Sequence, residues 1–477
     1  MKKYLFLTGI LLCTLLANAQ TFQDFLNRVG SLPEANHQAV VDSFMNAANT
    51  FPFIEDDTLT HFIYQGTATG IKVAGDATGW SPELVMEMIA GTNFWYHTTS
   101  YPSDARLDYK FVLNGSNWIL DPLNPNTCAG GFGPNSELRM PGYVNPPELA
   151  YYSGIPHGIL KDTTFSSASL GNSRKVTIYL PPGYESSAED YPVILFHDGL
   201  EYLSLGSTNN ILDYLISQQK ILPLIGIFVP PVDRTAEYAG NKIDLFTAFI
   251  VNDLMGAIDQ KYRTSKDPDK RAMAGASNGG NISLYIGMKH PEAFGKIAAQ
   301  SSNVIQTISN TLQFGNKLDL EFYIDIGTYD ISQLIPMVHN LATILESKKY
   351  SYRFYEWNEG HSWGNWKGHL RLPLMQFFSG PDGINENGFH PDIRLRQNHP
   401  NPFRGETLIP YSLPSGQPGE LWFLTAKGDL LEKVLLPSSH QPERVYSFMN
   451  HSYPSGTYFY NLRSGNGSVT KKMIITK

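Results

Sequence analysis

Arg271-Ala272-Met273-Ala274-Gly275-Ala276-Ser277-Asn278-Gly279-Gly280-Asn281 is the stretch on which the reading of this chain turns. Its centre, Gly275 to Gly279, fits the pattern G-x-S-x-G, in which a serine sits on a sharp turn between strand and helix. The chemistry asks for those residue types. A serine held in strained backbone tolerates nothing bulky beside it, and glycines let strand and helix come close. The helix N-terminus then aims N–H groups at a developing oxyanion. The flanks agree: residues 271–274 read as a short buried strand, and Asn281 to Lys289, with Ile282, Leu284, Tyr285 and Met288, as a helix packed on a sheet. Five common residues alone make a weak motif; the strand–turn–helix context gives it weight.

Working outward, short apolar runs recur from about 155 to 380. They are Val176–Leu180, Val193–Phe196, Ile225–Val229, Ala272–Gly275, Ile297–Ala299, Phe322–Ile324 and Tyr352–Tyr355, with helix-like stretches such as Leu245–Tyr262 and Leu334–Lys348 between most of them. This alternation predicts a mostly parallel sheet covered on both faces, with its active site beyond the carboxyl ends of the strands.

A serine needs a base, and the base an acid to orient it. Of the downstream histidines, His361 is favoured: it follows the strand ending near Trp357, where a loop can reach back over Ser277. His339 falls in a helix and His290 precedes Pro291, so both are read as structural or surface residues. The acid has two candidates, Asp325 at a strand end and Asp330 in the loop after it, and loop reach favours Asp330. One oxyanion donor would be the N–H of Asn278. The other would come from the turn His197-Asp198-Gly199-Leu200, through Leu200, with Gly199 allowing close approach and His197 as an orienting residue. His197, Asp198, Gly199, Phe132 and Trp363 are the residues expected to meet substrate.

The chain has 477 residues, enough for two or three domains, and a net charge of −8 with no basic run, which gives no hint of nucleic acid. Lys2 and Lys3, the apolar run Tyr4–Leu16 and Ala17-Asn18-Ala19 form an expected signal peptide, 1–19, too short to span a bilayer. Its removal leaves Cys128 as the one cysteine, so no internal disulfide is expected, and no metal-type Cys/His spacing occurs. Residues 20–54 read as short helices and 55–150 as a β-sandwich ending near the Gly-rich loop Gly130-Gly131-Phe132-Gly133. The α/β segment is placed at 151–380, a linker at 381–397, and a final β-rich module at 398–477.

Several spaced motifs resemble the esterase D and enterochelin esterase branch of the α/β-hydrolases. They are Leu195-Phe196-His197-Asp198-Gly199, Pro231-Val232-Asp233-Arg234 with Glu237-Tyr238, Tyr262-Arg263-Thr264, Arg271 to Gly280, and Gly360-His361-Ser362-Trp363 with Trp366. The resemblance implies Ser277 as nucleophile, Asp330 as acid and His361 as base; relatives often carry Glu at the acid position. Val73–Asp76 with Trp80, Gly91-Thr92 with Trp95-Tyr96, Tyr109–Phe111 and Asp121–Pro125 resemble an immunoglobulin-like early-set domain. Asn398–Phe403, Gly456–Tyr460 and Lys471–Ile475 resemble a type IX secretion sorting domain, which implies that machinery as a partner and a secreted or cell-surface location. The expected fold is therefore an α/β-hydrolase domain flanked by two β-sandwiches. The expected activity is a serine carboxylesterase without metal or cofactor, acting on feruloyl or acetyl esters of polysaccharide. A siderophore trilactone, an aromatic polyester, or a silent glycan-binding hydrolase fold are the alternatives, and an acyltransferase would use the same triad.

Overall fold

The computed structural model describes residues 21–48, 50–380, 393–413, 417–426, 430–438, 444–450, 453–464 and 467–476. The expected signal peptide and most of the expected linker lie outside the described residues.

The apolar runs become strands of one sheet. Its hydrolase part runs, neighbour to neighbour, Ile159–Ser167, Asn172–Leu180, Ile225–Val229, Val193–His197, Arg271–Ala276, Lys296–Gln300, Glu321–Tyr329 and Ser351–Gly360. The first two strands are antiparallel to their neighbours, and those from Ile225–Val229 onward are parallel. Val193–His197, Ile225–Val229 and Arg271–Ala276 are buried along their whole length, as strands covered on both faces must be. On one face the helix Asn278–Lys289 joins Phe246, Phe249, Ile308, Val338 and Leu341 in a large apolar core. On the other, Tyr202, Ile211, Leu215, Trp363, Trp366 and Leu374 form a second core.

This strand order positions the site. After Val193–His197 the chain goes to the strand on one side, Ile225–Val229, and then to the strand on the other, Arg271–Ala276. The connections therefore part at the carboxyl ends of Val193–His197 and Arg271–Ala276, which opens a crevice there. Asp198 and Ser277 stand at its two lips.

The segment before the hydrolase strands holds two sheets. One pairs Phe53–Glu55, Leu59–Gln65, Phe94–Ser100 and Glu87–Met88. The helices Phe22–Gly30 and His37–Ala47 cover its outer side through Phe22, Phe25, Val41 and Phe44, against Ile63 and Phe94. Phe62, the neighbour of Ile63, points the other way into a cluster with Val73, Leu107, Tyr109, Phe111 and Leu138 of the second sheet, as strand alternation requires. That second sheet, built on Ile71–Gly75, Arg106–Leu113 and Asn135–Arg139, is not freestanding. Arg106 pairs in parallel with Glu359, so it extends the hydrolase sheet beyond Ser351–Gly360. Toward the C-terminus, Glu406–Ser412 and Arg444–Met449 lie in one sheet, and Gly419–Thr425, Gly456–Ser464 and Gly467–Ile475 in another, around Ile409, Leu421, Phe423, Phe448, Tyr460 and Met473.

Candidate active site

Ser277 follows directly on the strand Arg271–Ala276 and caps the helix Asn278–Lys289 with φ 57° and ψ −122°. A positive φ at a residue with a side chain is strained and persists only where its surroundings hold it. Here the Ser277 N–H donates to the Gln300 carbonyl at 2.9 Å, and the Ser277 carbonyl accepts from Asn281 and Asn303 N–H groups, each at 3.2 Å. The flanking glycines are required by space. A Cβ on Gly275 would lie 2.2 Å from the Gly279 backbone, and one on Gly280 2.7 Å from Ser302 Oγ.

His361 and Asp330 come from the ends of the next strands. His361 Nδ1 lies 2.7 Å from Asp330 Oδ1, which also accepts the Ile331 N–H at 2.7 Å. Because a carboxylate only accepts, Nδ1 carries the proton and Nε2 is left as the basic nitrogen. The ring meets Trp366 edge-on, with centroids 5.0 Å apart. Asp325 lies elsewhere. It is wholly buried and accepts from the Ser301 N–H at 3.1 Å and the Tyr323 hydroxyl at 2.9 Å, and burial pushes its carboxyl up to about 7. It organises the turns behind the site and does not touch His361.

Ser277, Asp330 and His361 line one cleft of about 1360 Å³. Trp363 and Trp366 line it from the hydrolase side, and Trp80, Lys110, Trp118 and the fully exposed Phe132 from the N-terminal sheets. Asp198 lines it too, held by the Arg234 fork at 2.8 and 2.7 Å. Arg234 Nη2 also reaches the Ala276 carbonyl at 3.3 Å, so this ion pair abuts the serine turn. Of the two N–H groups expected at an oxyanion, Asn278 is the first residue of its helix and Leu200 the second of Gly199–Ser204. Neither N–H has an intrahelical carbonyl to serve.

Two expected substrate contacts are corrected. His197 is wholly buried, edge-on to Tyr238 with Phe246 also beside it, and neither ring nitrogen has a hydrogen-bond partner. Burial pulls its pKa down to about 3. It shares a strand face with Val193 and Leu195, which point into the core. Gly199 is a packing residue: a Cβ there would sit 2.3 Å from the Phe228 carbonyl carbon, so only glycine lets this helix start against Ile225–Val229. Asp198, Phe132 and Trp363 do line the cleft. Arg234, Lys110, Trp80 and Trp118 were not foreseen as part of it. Arg234, Trp80 and Lys110 stand in motifs quoted above to which no cleft contact is assigned, and Trp118 stands in none. Among the described residues, no group of three His, Cys, Asp or Glu side chains is arranged to hold a metal ion.

Residues 167–376 match the family model described as "Putative esterase". The endo-1,4-beta-xylanase/feruloyl esterase of Xylanibacter ruminicola is 30% identical over 215 residues, 42% of this chain and 29% of that protein. The iron(III) enterobactin esterase of Escherichia coli K12 is 27% identical over 246 residues, 46% of this chain and 60% of that protein. The chain thus spans less than two thirds of either curated relative. The crystal structure of the enterobactin esterase from Shigella flexneri superposes with a TM-score of 0.60 at 22% identity, covering 70% of this chain and 97% of that one, a likeness of fold. The chain is a carboxylic ester hydrolase built on an α/β-hydrolase fold.

Proposed function

We propose that this is an exported serine esterase that releases feruloyl or acetyl groups from polysaccharide, through Ser277, His361 and Asp330. His361 Nε2 takes the Ser277 proton as Oγ attacks the ester carbonyl. The imidazolium is held by the Asp330 carboxylate, and the N–H groups of Asn278 and Leu200 receive the oxyanion. His361 then gives the proton to the leaving sugar hydroxyl, and water, activated by the same nitrogen, releases the acid. Export by a signal peptide over residues 1–19 and a sorting module over 398–477 belongs to the same reading.

The observation that carries the substrate class is the wall of the cleft. Six aromatic side chains, Trp80, Trp118, Phe132, Tyr329, Trp363 and Trp366, line it beside Ser277 and His361, and flat apolar faces suit an aromatic acyl group or a sugar ring. Its charged lining is four carboxylates, Asp108, Asp198, Glu201 and Asp330, against Lys110 and Arg234, while burial keeps the Asp76 carboxyl protonated. Such a lining offers no net positive field to a polyanionic iron chelate and suits a neutral ester. The test is a panel of methyl ferulate, feruloylated arabinoxylan, acetylated xylan and a siderophore trilactone. The reading expects the highest kcat/KM on the feruloyl esters, and preference for the trilactone would overturn it.

A further inference from the structure

We infer that Arg106, a residue of the N-terminal sheets, is a positioning residue for His361. It holds the histidine loop at both ends from behind the cleft. The inference rests on the reading of His361 as the base.

Arg106 is fully buried, and each of its three guanidinium nitrogens donates one hydrogen bond. Nε donates to Glu137 Oε1 and Nη2 to Asp108 Oδ1, both on the N-terminal sheets. Nη1 donates across to Ser362 Oγ at 3.0 Å, the residue after His361. The same Nη1 lies 3.9 Å from Glu359 Oε2, and the Arg106 backbone is the one paired with Glu359. Glu359 is fixed in turn by His369 Nε2 at 2.6 Å, whose ring stacks on Trp357 at 3.8 Å. Residues 359 and 362 bracket the histidine, and one guanidinium stands beside both.

The packing is tight on both sides of the histidine. A Cβ on Gly360 would fall 2.1 Å from Asp76 Cγ, and one on Gly364 1.8 Å from Arg106 Cζ. The Gly360 carbonyl is tied by Asn365 Nδ2 at 2.9 Å. The segment that carries His361 is therefore packed against two side chains of the N-terminal segment, Asp76 before the histidine and Arg106 after it. A buried ion cluster is weak evidence for stability, because apolar residues of similar volume usually serve as well. A guanidinium does what they cannot: its fixed fork sets the relative position of three separate segments.

Arg106→Lys keeps the charge and loses the fork. Ser362→Ala removes only the hydroxyl, and Ser362→Thr restores it. Each is made in the full chain and assayed with p-nitrophenyl acetate across pH, alongside thermal melts and the low-field proton resonance of the His361–Asp330 bond. We expect kcat to fall roughly 10- to 100-fold in Arg106→Lys and Ser362→Ala, with KM changed less than about twofold, the low-field resonance broadened, and activity recovered in Ser362→Thr. Where Arg106→Lys does not fold, the serine pair decides. Unchanged kcat and an unchanged resonance in a folded variant would overturn the inference, as would a loss matched by the unfolded fraction alone. His361→Asn separates the premises. An inactive His361→Asn beside fully active Arg106→Lys and Ser362→Ala defeats the positioning role alone. An active His361→Asn defeats both readings.

Discussion

Replacing Asp330 with asparagine removes a charge while nearly preserving a shape. Asp330 Oδ1 accepts two N–H groups, from His361 and from Ile331, each at 2.7 Å. An asparagine with its oxygen in that position keeps both bonds and therefore keeps the Nδ1–H tautomer of His361. Its NH2 then takes the place of Oδ2, which is buried without a hydrogen-bond partner. One unsatisfied amide there costs about 1–3 kcal/mol of stability, so a lowered Tm is expected in a protein that still folds. The catalytic loss is electrostatic. An imidazolium and a carboxylate with charge centres about 4 Å apart attract by about 4 kcal/mol at an effective dielectric constant near 20. That interaction exists only once His361 has taken the proton, so its removal should lower kcat by roughly 10³-fold and leave KM nearly unchanged. Asp325→Asn is the control. Asp325 has no contact with His361 and does not line the cleft, so kcat should stay within about threefold. The assay is steady-state hydrolysis of p-nitrophenyl acetate near pH 8, with folding checked by near-ultraviolet circular dichroism. A folded Asp330→Asn enzyme retaining more than a tenth of kcat, or an Asp325→Asn enzyme impaired as deeply, would refute the assignment of the acid.

Ser277→Ala should remove on the order of 10⁶ of kcat and abolish the acyl-enzyme burst while leaving the fold intact; a clean preparation with substantial turnover would end the nucleophile assignment. Phe132→Ala should raise KM for methyl ferulate several-fold and barely change p-nitrophenyl acetate, since Phe132 is a fully exposed ring on the cleft wall; equal kinetics on both esters would count against a substrate role. Asp76→Asn should flatten the pH dependence of stability: burial, and then the Asp108 carboxylate, push the Asp76 carboxyl up to about 8 from an ordinary 3.8. The folded chain holds that proton between these values and the unfolded chain does not, so the stability it contributes is full below pH 3.8 and falls by about 1.4 kcal/mol per pH unit toward pH 8. Urea melts from pH 5 to 8 with the same slope in both proteins would refute the protonated carboxyl.

The parts of this molecule legible in the sequence are those whose cause is local. The elbow at Ser277 is legible in five residues together with the strand and helix patterns that flank them, because a strained serine between a strand and a helix needs small neighbours on each side. Reach favours Asp330 over Asp325 in the sequence, although the strand runs on to Tyr329, so that Asp325, expected at a strand end, lies buried inside it and Asp330 directly after its end. Alternation would also have placed His197 correctly. Val193, Leu195 and His197 share a face, and that face packs on the helix layer carrying Tyr238 and Phe246. The cleft wall and the Arg106 cluster are different in kind. Arg106 and Ser362 are 256 residues apart in sequence, and only the docking of one sheet beside another brings them together.

The strand Arg106–Leu113 shows how such docking changes the meaning of a pattern. Its odd-numbered residues, Leu107, Tyr109, Phe111 and Leu113, fill the core between the two N-terminal sheets. Its even-numbered residues, Arg106, Asp108 and Lys110, read in isolation as the solvated side of a sandwich. In the folded chain that side faces the hydrolase. Arg106 is sealed against the histidine loop, Asp108 lies beside it, and Lys110 opens into the cleft with Trp118, which stands opposite Val112 on the neighbouring strand. One strand face therefore runs from the back of the histidine loop to the substrate wall. On the proposed mechanism, its two ends should separate kinetically: changes at Trp118 act through KM, because they touch bound ester, and changes at Arg106 act through kcat, because they move the base. The charged face of this β-layer is thus explained by the hydrolase it leans on, since a freestanding sandwich would have no use for a buried arginine among carboxylates.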